Sequence, residues 1–560
     1  MAKTFIFAIG GTGARVLRSL TMLMASGVKG MTEDICPIII DYDLHNGDKD
    51  RAITCMKRYS EIQTLVAQGE SNIDSKIISE YEDCHKGYRP YFSTKIGQLN
   101  GIKNWSWQFN LREEMESLKY SDYIDYDNVN LYTPTSQDFV NCLYDTNINS
   151  VYTELNLNMK EGFQGNPNIG SVVFNDLKEY PEFNNAFSNN FRAGDRIVVI
   201  GSIFGGTGSS GIPKIVNAIR NHSKADIKKA SLSVVLVLPY FAVNSSNDNE
   251  ISIKSNIFNS KTKAALNYYE RSGLNALINS IYYVGDKVQT KVEPHIGNKA
   301  QKNDAHIVEL IGAMSVAHFI TSASNGKYKF NVINDIVDGV GIHELVGESN
   351  SWAQNEFVTS ILHNMVNFML SVHYFLDNIV SSQKRMDERQ FYKELKLDFD
   401  NKKMRSSGNS IPIQDYCAAF YDFICKKEDL SDTDDGFWPW MQELHNQQSH
   451  GTHRLKIFNL DKGNIVDFLS EFNFRSEPTR INIPFRGEVE IASARPLMDY
   501  SDQFDSSLNN SLVPYRKGQK QLQEESKEAY PYIFNDILTK MPEEVRKFNA
   551  KLEERFKMVP

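Results

Sequence analysis

Ile197-Val198-Val199-Ile200-Gly201-Ser202-Ile203-Phe204-Gly205-Gly206-Thr207-Gly208-Ser209-Ser210-Gly211 runs from β-branched apolar residues into a string of small ones, and a helix-compatible segment, Ile212 to His222, follows. The pattern reads as a buried strand, a tight glycine loop and a helix start. Glycine tolerates positive φ and lets a ligand approach the main chain. The free N–H groups of a helix's first turn, aligned with its dipole, favour an anion there. Thr207, Ser209 and Ser210 add hydroxyls able to bond phosphate oxygens. By itself the stretch fits either a phosphate cradle or a plain surface loop.

The chain opens on a second unit of the same kind. Residues 4–9 (TFIFAI) form an apolar run, Gly10-Gly11-Thr12-Gly13 follows, and Val16, Leu17, Leu20, Leu23 and Met24 recur at helical spacing. The dinucleotide fingerprint G-x-G-x-x-G is incomplete, because its third glycine position is Val16. A third apolar run, Ile35 to Ile40, ends in Asp41-Tyr42-Asp43. Acidic residues at such a strand end meet a ribose hydroxyl or a hydrated metal, or simply face solvent. Residues 45–160 are less regular and rich in Asn, Asp, Tyr and Ser, which reads as an inserted, partly helical subdomain with Trp105 and Trp107 as core aromatics. Gly162 to Gly170 (GFQGNPNIG) reads as a loop.

After the opening stretch come Leu232 to Leu238, suited to a central parallel strand, a helical segment at about 255–271, and a strand at 281–284 ending in Gly285-Asp286. From Asn303 onward, Ile307, Leu310, Ile311, Met314, Val316, Ala317 and Ile320 mark a long buried helix. Strands alternating with helices over 1–325 predict an α/β domain with a parallel sheet, whose ligands collect at the carboxyl ends of the strands. Beyond that the pattern shifts to an α+β C-terminal domain, 326–560. It has a helix at 357–380, an acidic loop at 427–436, short strands at 455–459 and 480–491, and a charged helix at 542–557.

Composition narrows the function classes. A net charge of −9 argues against broad nucleic-acid binding, so nucleic acid is not indicated as a partner. Six scattered cysteines without a C-x-x-C pair fit a reduced, cytoplasmic protein better than a disulfide scaffold or a zinc site. The longest apolar run, Leu232 to Val243, is too short to span a bilayer. Met1-Ala2-Lys3 leads straight into a strand, unlike a cleavable signal.

In order along the chain, these segments resemble the tubulin/FtsZ superfamily of GTPases, and its divergent bacterial tubulin-like proteins more than FtsZ itself. Phe204 to Gly211 looks like the signature GGGTG[ST]G, with Phe204 for the first glycine and one extra serine. Gly10-Gly11-Thr12-Gly13 holds the place of the first phosphate loop. Gly165-Asn166-Pro167-Asn168-Ile169-Gly170 is similar to the GANPEVG-type loop at the γ-phosphate, and Leu236-Val237-Leu238-Pro239-Tyr240 to the strand that follows the signature. Asn303 and Asp304 stand where the family carries a base-contacting residue. The resemblance covers about 1–325, with the insertion at 45–160.

The resemblance implies a Rossmann-like domain that binds GTP or GDP with Mg2+, using Gly10, Gly11, Thr12, Gly13, Gly205, Gly206, Thr207, Gly208 and Ser209 for the phosphates. Gly165, Asn166 and Gly170 would sense the γ-phosphate, while Asp41 and Asp43 line the same crevice. It also implies self-association into a filament or oligomer, with further protein partners unidentified. Hydrolysis would be completed by Asp335 and Asp338 from a neighbouring copy. Some bacterial members belong to conflict or defence systems. Two departures bear on this: Gly285-Asp286 replaces an asparagine that touches the base, and Ile333 stands where the catalytic loop has asparagine. A non-hydrolysing, nucleotide-gated assembly protein stays open as an alternative, as does a Rossmann NAD(P) protein built on Gly10 to Gly13 and Asp41.

Overall fold

The computed structural model describes residues 2–43, 46–66, 89, 92–107, 119–126, 128, 133–144, 154–159, 162–243, 257–286, 290–292, 306–322, 328–334, 361, 480–483 and 487–490. Asn303, Asp304, Asp335 and Asp338, with the segments 357–380 (Ile361 apart), 427–436, 455–459 and 542–557, lie outside the described residues. The chain divides into two compact units. One comprises Met1–Leu20, Thr32–Thr54 and Ile96–Leu345, the other Thr21–Met31, Cys55–Lys95 and Val346–Pro560.

The first unit is built on a parallel sheet. Its strands are β1 (Lys3–Ile9), β2 (Asp34–Ile40), β3 (Arg196–Ser202), β4 (Ser231–Val237) and β5 (Ser280–Asp286), in the spatial order 2-1-3-4-5. A sixth parallel strand, β6 (Tyr328–Asn334), extends the sheet beyond β5. All pairings are parallel, in register from Thr4 opposite Arg196 to Ile9 opposite Gly201 between β1 and β3. The continuous apolar runs follow from this, since a parallel strand is covered on both faces.

Helices α1 (Gly10–Ala25), α2 (Gly47–Val66), α3 (Pro167–Val173), α4 (Gly206–Arg220), α5 (Phe258–Arg271) and α6 (Ile307–Thr321) complete the frame. Phe5, Phe7 and Ile9 share one sheet face with Ile197 and Val199, and pack with Ile212, Ile215 and Ile219 of α4 in a single apolar core. Phe187 meets Phe7 edge-on at 5.0 Å. Trp105 and Trp107 are buried, as core aromatics. The segment around them runs along the free edge of β2, where Trp107 N donates to Ile39 O at 2.8 Å.

A buried polar network ties α1 to α6. The Arg15 guanidinium pairs with Glu309, and its Nε lies 4.0 Å from Asp48 Oδ2. Tyr240 Oη donates to Glu309 Oε1 at 3.0 Å, and His306 Nδ1 caps α6 by accepting from Val308 N at 3.1 Å. In α6, Gly312 lets the helix sit on Val16 of α1; a Cβ there would come within 3.1 Å of Val16 Cγ1.

In the second unit, Tyr59 Oη donates to Thr94 O at 2.7 Å, and Gln63 Nε2 donates to Phe92 O and Thr94 O. Arg480–Ile483 and Gly487–Glu490 pair antiparallel, within the region read as strand from the sequence.

Candidate functional site

Strand order fixes where a ligand can enter. From β1 the chain passes to β2 on one side, whereas from β3 it passes to β4 on the other. Connections leaving in opposite directions from neighbouring strands open a crevice at their carboxyl ends, the switch point of a doubly wound sheet. Both glycine-rich segments lie there.

Neither glycine segment is the loop that the sequence predicts. Gly10, at φ +69, turns the chain from β1 straight into α1, so Gly10 to Gly13 are the helix's first turn. Helix α4 likewise starts at Gly206, six residues before the expected Ile212. Close packing explains the choice of residue. A Cβ at Gly13 would fall 2.7 Å from Ala8 C, and one at Gly208 2.3 Å from Ser202 O. Without side chains there, each helix seats its first turn on the strand it follows, and its amide groups open at the switch point.

The two helix starts adjoin: a Cβ at Gly10 would lie 3.3 Å from Thr207 Cβ. Gly205 is the N-cap of α4 with extended backbone and no side-chain cap. The sequence reading gave three hydroxyls to a ligand, but two of them close on the helix itself. Ser209 Oγ donates to Gly205 O, and Ser210 Oγ to Gly206 O at 2.7 Å, both side chains being buried. Thr207 and, across from it, Gly11 and Thr12 remain half-buried.

Two further segments close the ring. Gly162 and Gly165 have φ of +75 and +80, and Asn166 is the N-cap of the short helix α3, so the stretch read as one loop is half turn and half helix. A Cβ at Gly206 would meet Gly165 N and Asn166 N, each at 3.1 Å, and one at Gly170 would overlap Ser210 Oγ at 2.2 Å. Beyond β2, Asn46 accepts from Asp48 N (2.9 Å) and Lys49 N (3.2 Å), capping α2. Its Nδ2 donates to Asp41 Oδ2 at 3.0 Å and stands 3.0 Å from where a Gly11 Cβ would be. Lys49 Nζ donates to Asp43 O at 2.6 Å, and Asp43 Cβ is 3.6 Å from the Cβ position of Gly162.

Asp41 is 3% exposed and also accepts from Asp43 N at 3.2 Å. Burial pushes its carboxyl up to about 7. Lys49 draws it down, Asp43 pushes it up, and the bonds from Asp43 N and Asn46 draw it down. Below that pH it adds no negative charge to the crevice.

The departures from the glycine signature have structural causes. Phe204 is 3% exposed and packs on Phe241 (centroids 5.5 Å) and Phe258 (4.9 Å), so it anchors the loop in the core. At Gly285 a Cβ would stand 2.8 Å from Leu238 Cβ, which leaves no room for the asparagine side chain.

The structure thus brings together Gly10 to Thr12, Asp41, Asp43, Gly165, Asn166 and Gly205 to Thr207. It adds Asn46 and Lys49, and Lys261, whose Nζ donates to Gly165 O, none of which the sequence pattern marks as a site residue. Asn46-Gly47-Asp48 does carry a helix-start signature, but no local signal marks Lys261.

No protein-family model matches this sequence, and no curated protein matches it. Among the described residues, no helix is long and apolar enough to cross a membrane.

Proposed function

We propose that the first unit is a nucleotide-binding domain of the tubulin/FtsZ kind, which binds GTP and GDP with Mg2+ and hydrolyses GTP when copies of the chain associate. One observation carries the reading. The first turns of α1 and α4, the latter without a side-chain cap, lie side by side at the switch point, walled by 162–166 and by Asp41, Asp43 and Asn46. Two sets of convergent amides with a half-buried threonine hydroxyl between them fit a polyphosphate.

In this reading the amides of 10–12 and 205–207 hold the inner phosphates, and the 165–166 turn meets the outermost one. The metal would be carried by phosphate oxygens, neutralising their charge. Water attack would await Asp335 and Asp338 of a neighbouring subunit, and Asn303 and Asp304 would meet the base.

Calorimetric titration of the full chain with GTP, GDP and ATP in Mg2+ tests the cradle. Thr207→Trp sets a bulky side chain where the two helix starts meet and weakens GTP binding by more than about tenfold, with a retained melting temperature as the control for folding. GTP affinity unchanged in that variant refutes the cradle, and enhanced NADH fluorescence with no GTP binding would select the dinucleotide reading. Gly208→Trp is unsuited, because a side chain there strikes Ser202 and breaks the fold. Turnover per molecule should rise with protein concentration and fall in Asp338→Ala. A rate independent of concentration would exclude a shared site.

A further inference from the structure

The polyphosphate cradle lacks one thing the sequence motifs do not supply, a cation. Lys49, close by, is buried and turned onto the Asp43 carbonyl. The chain nevertheless brings another to the rim. Phe258, the first residue of α5, packs on Phe204 at 4.9 Å and on Phe241 at 5.8 Å, which fixes the start of α5 to the residue before Gly205. One turn further, Lys261 Nζ donates to Gly165 O at 2.5 Å, and a Cβ at Gly165 would lie 3.4 Å from the ammonium. The amides of Gly165 and Asn166 stand against Gly206, the first residue of α4. The ammonium is thus one residue away from the wall of the cradle.

Among the described residues this is the one hydrogen bond Lys261 makes, so an ammonium with three donors keeps capacity for an anion. Lys261 is half-buried. Burial lowers its pKa, against the opposing pull of Glu154, so a phosphate in reach would restore the charge that burial disfavours. Glu154 itself accepts from Asn168 Nδ2 at 2.9 Å, which holds the far side of the same turn.

We propose that Lys261 selects nucleoside triphosphate over diphosphate, by holding the Gly165 turn and pairing with the outermost phosphate. This rests on the nucleotide reading above and adds to it the discrimination between substrate and product. A lysine that merely satisfied the Gly165 carbonyl would affect all nucleotides alike.

The test compares GTP and GDP affinities, by titration calorimetry in Mg2+, for the wild-type chain, Lys261→Met and Lys261→Arg. Loss of a charge-assisted bond predicts that Lys261→Met weakens GTP by about tenfold or more, leaves GDP within about twofold, and that Lys261→Arg keeps most of the preference. Equal weakening of both nucleotides, or of neither, overturns the role of Lys261 and leaves the cradle standing. A wild-type chain that binds neither nucleotide overturns the nucleotide reading and this one with it. Lys261→Gln, which keeps a donor for Gly165 but no charge, repeats the comparison where Lys261→Met does not fold; a Gln variant that keeps wild-type preference for GTP overturns the proposal.

Discussion

Asp41→Asn should change stability with opposite consequences at the two ends of the pH scale. The carboxyl is raised from 3.8 to about 7 in the folded chain, a difference of about three pH units. At about 1.36 kcal/mol per unit, the ionised form costs the fold up to about 4 kcal/mol. The sign follows from the direction of the shift. A group raised on folding contributes fully below its unfolded pKa, and that contribution is lost as pH climbs through the folded value. The loss therefore runs from about pH 4 to about pH 7 and is complete near pH 8. Between about pH 5 and about pH 8.5, linkage gives a wild-type loss from this group of roughly 3 kcal/mol. The amide introduced by Asp41→Asn cannot ionise. It forfeits a hydrogen bond, because Asn46 Nδ2 then faces a second amide group while Asn46 Oδ1 stays committed to α2. That costs about 1 kcal/mol at every pH.

Urea unfolding of both full chains at the two pH values gives the variant-minus-wild-type difference, in which all other titrations cancel. We expect this difference to rise by roughly 3 kcal/mol towards alkaline pH, with the variant the more stable chain there. A difference flat to within about 0.5 kcal/mol would refute the argument, since Asp41 would then ionise alike in both states. The same proton bears on binding. Above about pH 7 a carboxylate appears behind Asn46, beside Gly11, and polyphosphate affinity should fall.

Glu309→Leu should destabilise the chain by about 3–5 kcal/mol, because it removes the nearer carboxylate from the buried Arg15 and the acceptor of Tyr240; urea unfolding reads it, and the double variant Arg15→Met/Glu309→Leu should recover part of the loss. A Glu309→Leu loss below about 1 kcal/mol would show that Asp48 alone compensates Arg15. Gly13→Ala and Gly208→Ala should each lower the urea midpoint strongly, because the new methyl meets backbone atoms at 2.7 and 2.3 Å, whereas Gly194→Ser meets no neighbour and is strained only by its φ of +92. Effects at Gly13 and Gly208 no larger than at Gly194 would mean that close packing does not select these two glycines.

The sheet was largely legible in the sequence because a parallel strand buried on both faces can only be an apolar β-branched run, as Ile35 to Ile40, Ile197 to Ile200 and Leu232 to Val237 are. The helix starts were not. Glycine and serine carry poor helix propensity, so Gly206 to Gly211 read as loop, yet packing against Ser202 and against Gly170 of α3 imposes the helix there. Asp41 and Asp43 were visible as a strand end, but Asn46 and Lys49 were assigned to an insertion rather than to the start of α2. Lys261 reaches the Gly165 turn from 96 residues along the chain, through an aromatic contact that no local pattern reveals. In the same way, Phe204 breaks a glycine signature in the sequence, while in the fold its ring packs among Phe241 and Phe258.

If the glycine segment holds phosphates as proposed, that ring bears on how it would do so. A run of three small residues before a helix would sample many backbone states and lose conformational entropy on closing round a ligand. With Phe204 held in the core immediately before Gly205, the wall formed by α4 is pre-organised, and little ordering remains to offset the contacts it makes. The wall opposite is the Gly162–Asn166 turn, tied to α5 by the bond from Lys261 Nζ to the Gly165 carbonyl. On the proposed nucleotide reading, ligand-dependent change in amide hydrogen exchange should concentrate in 162–170, where the outermost phosphate would bind, and leave 204–211 nearly unaltered.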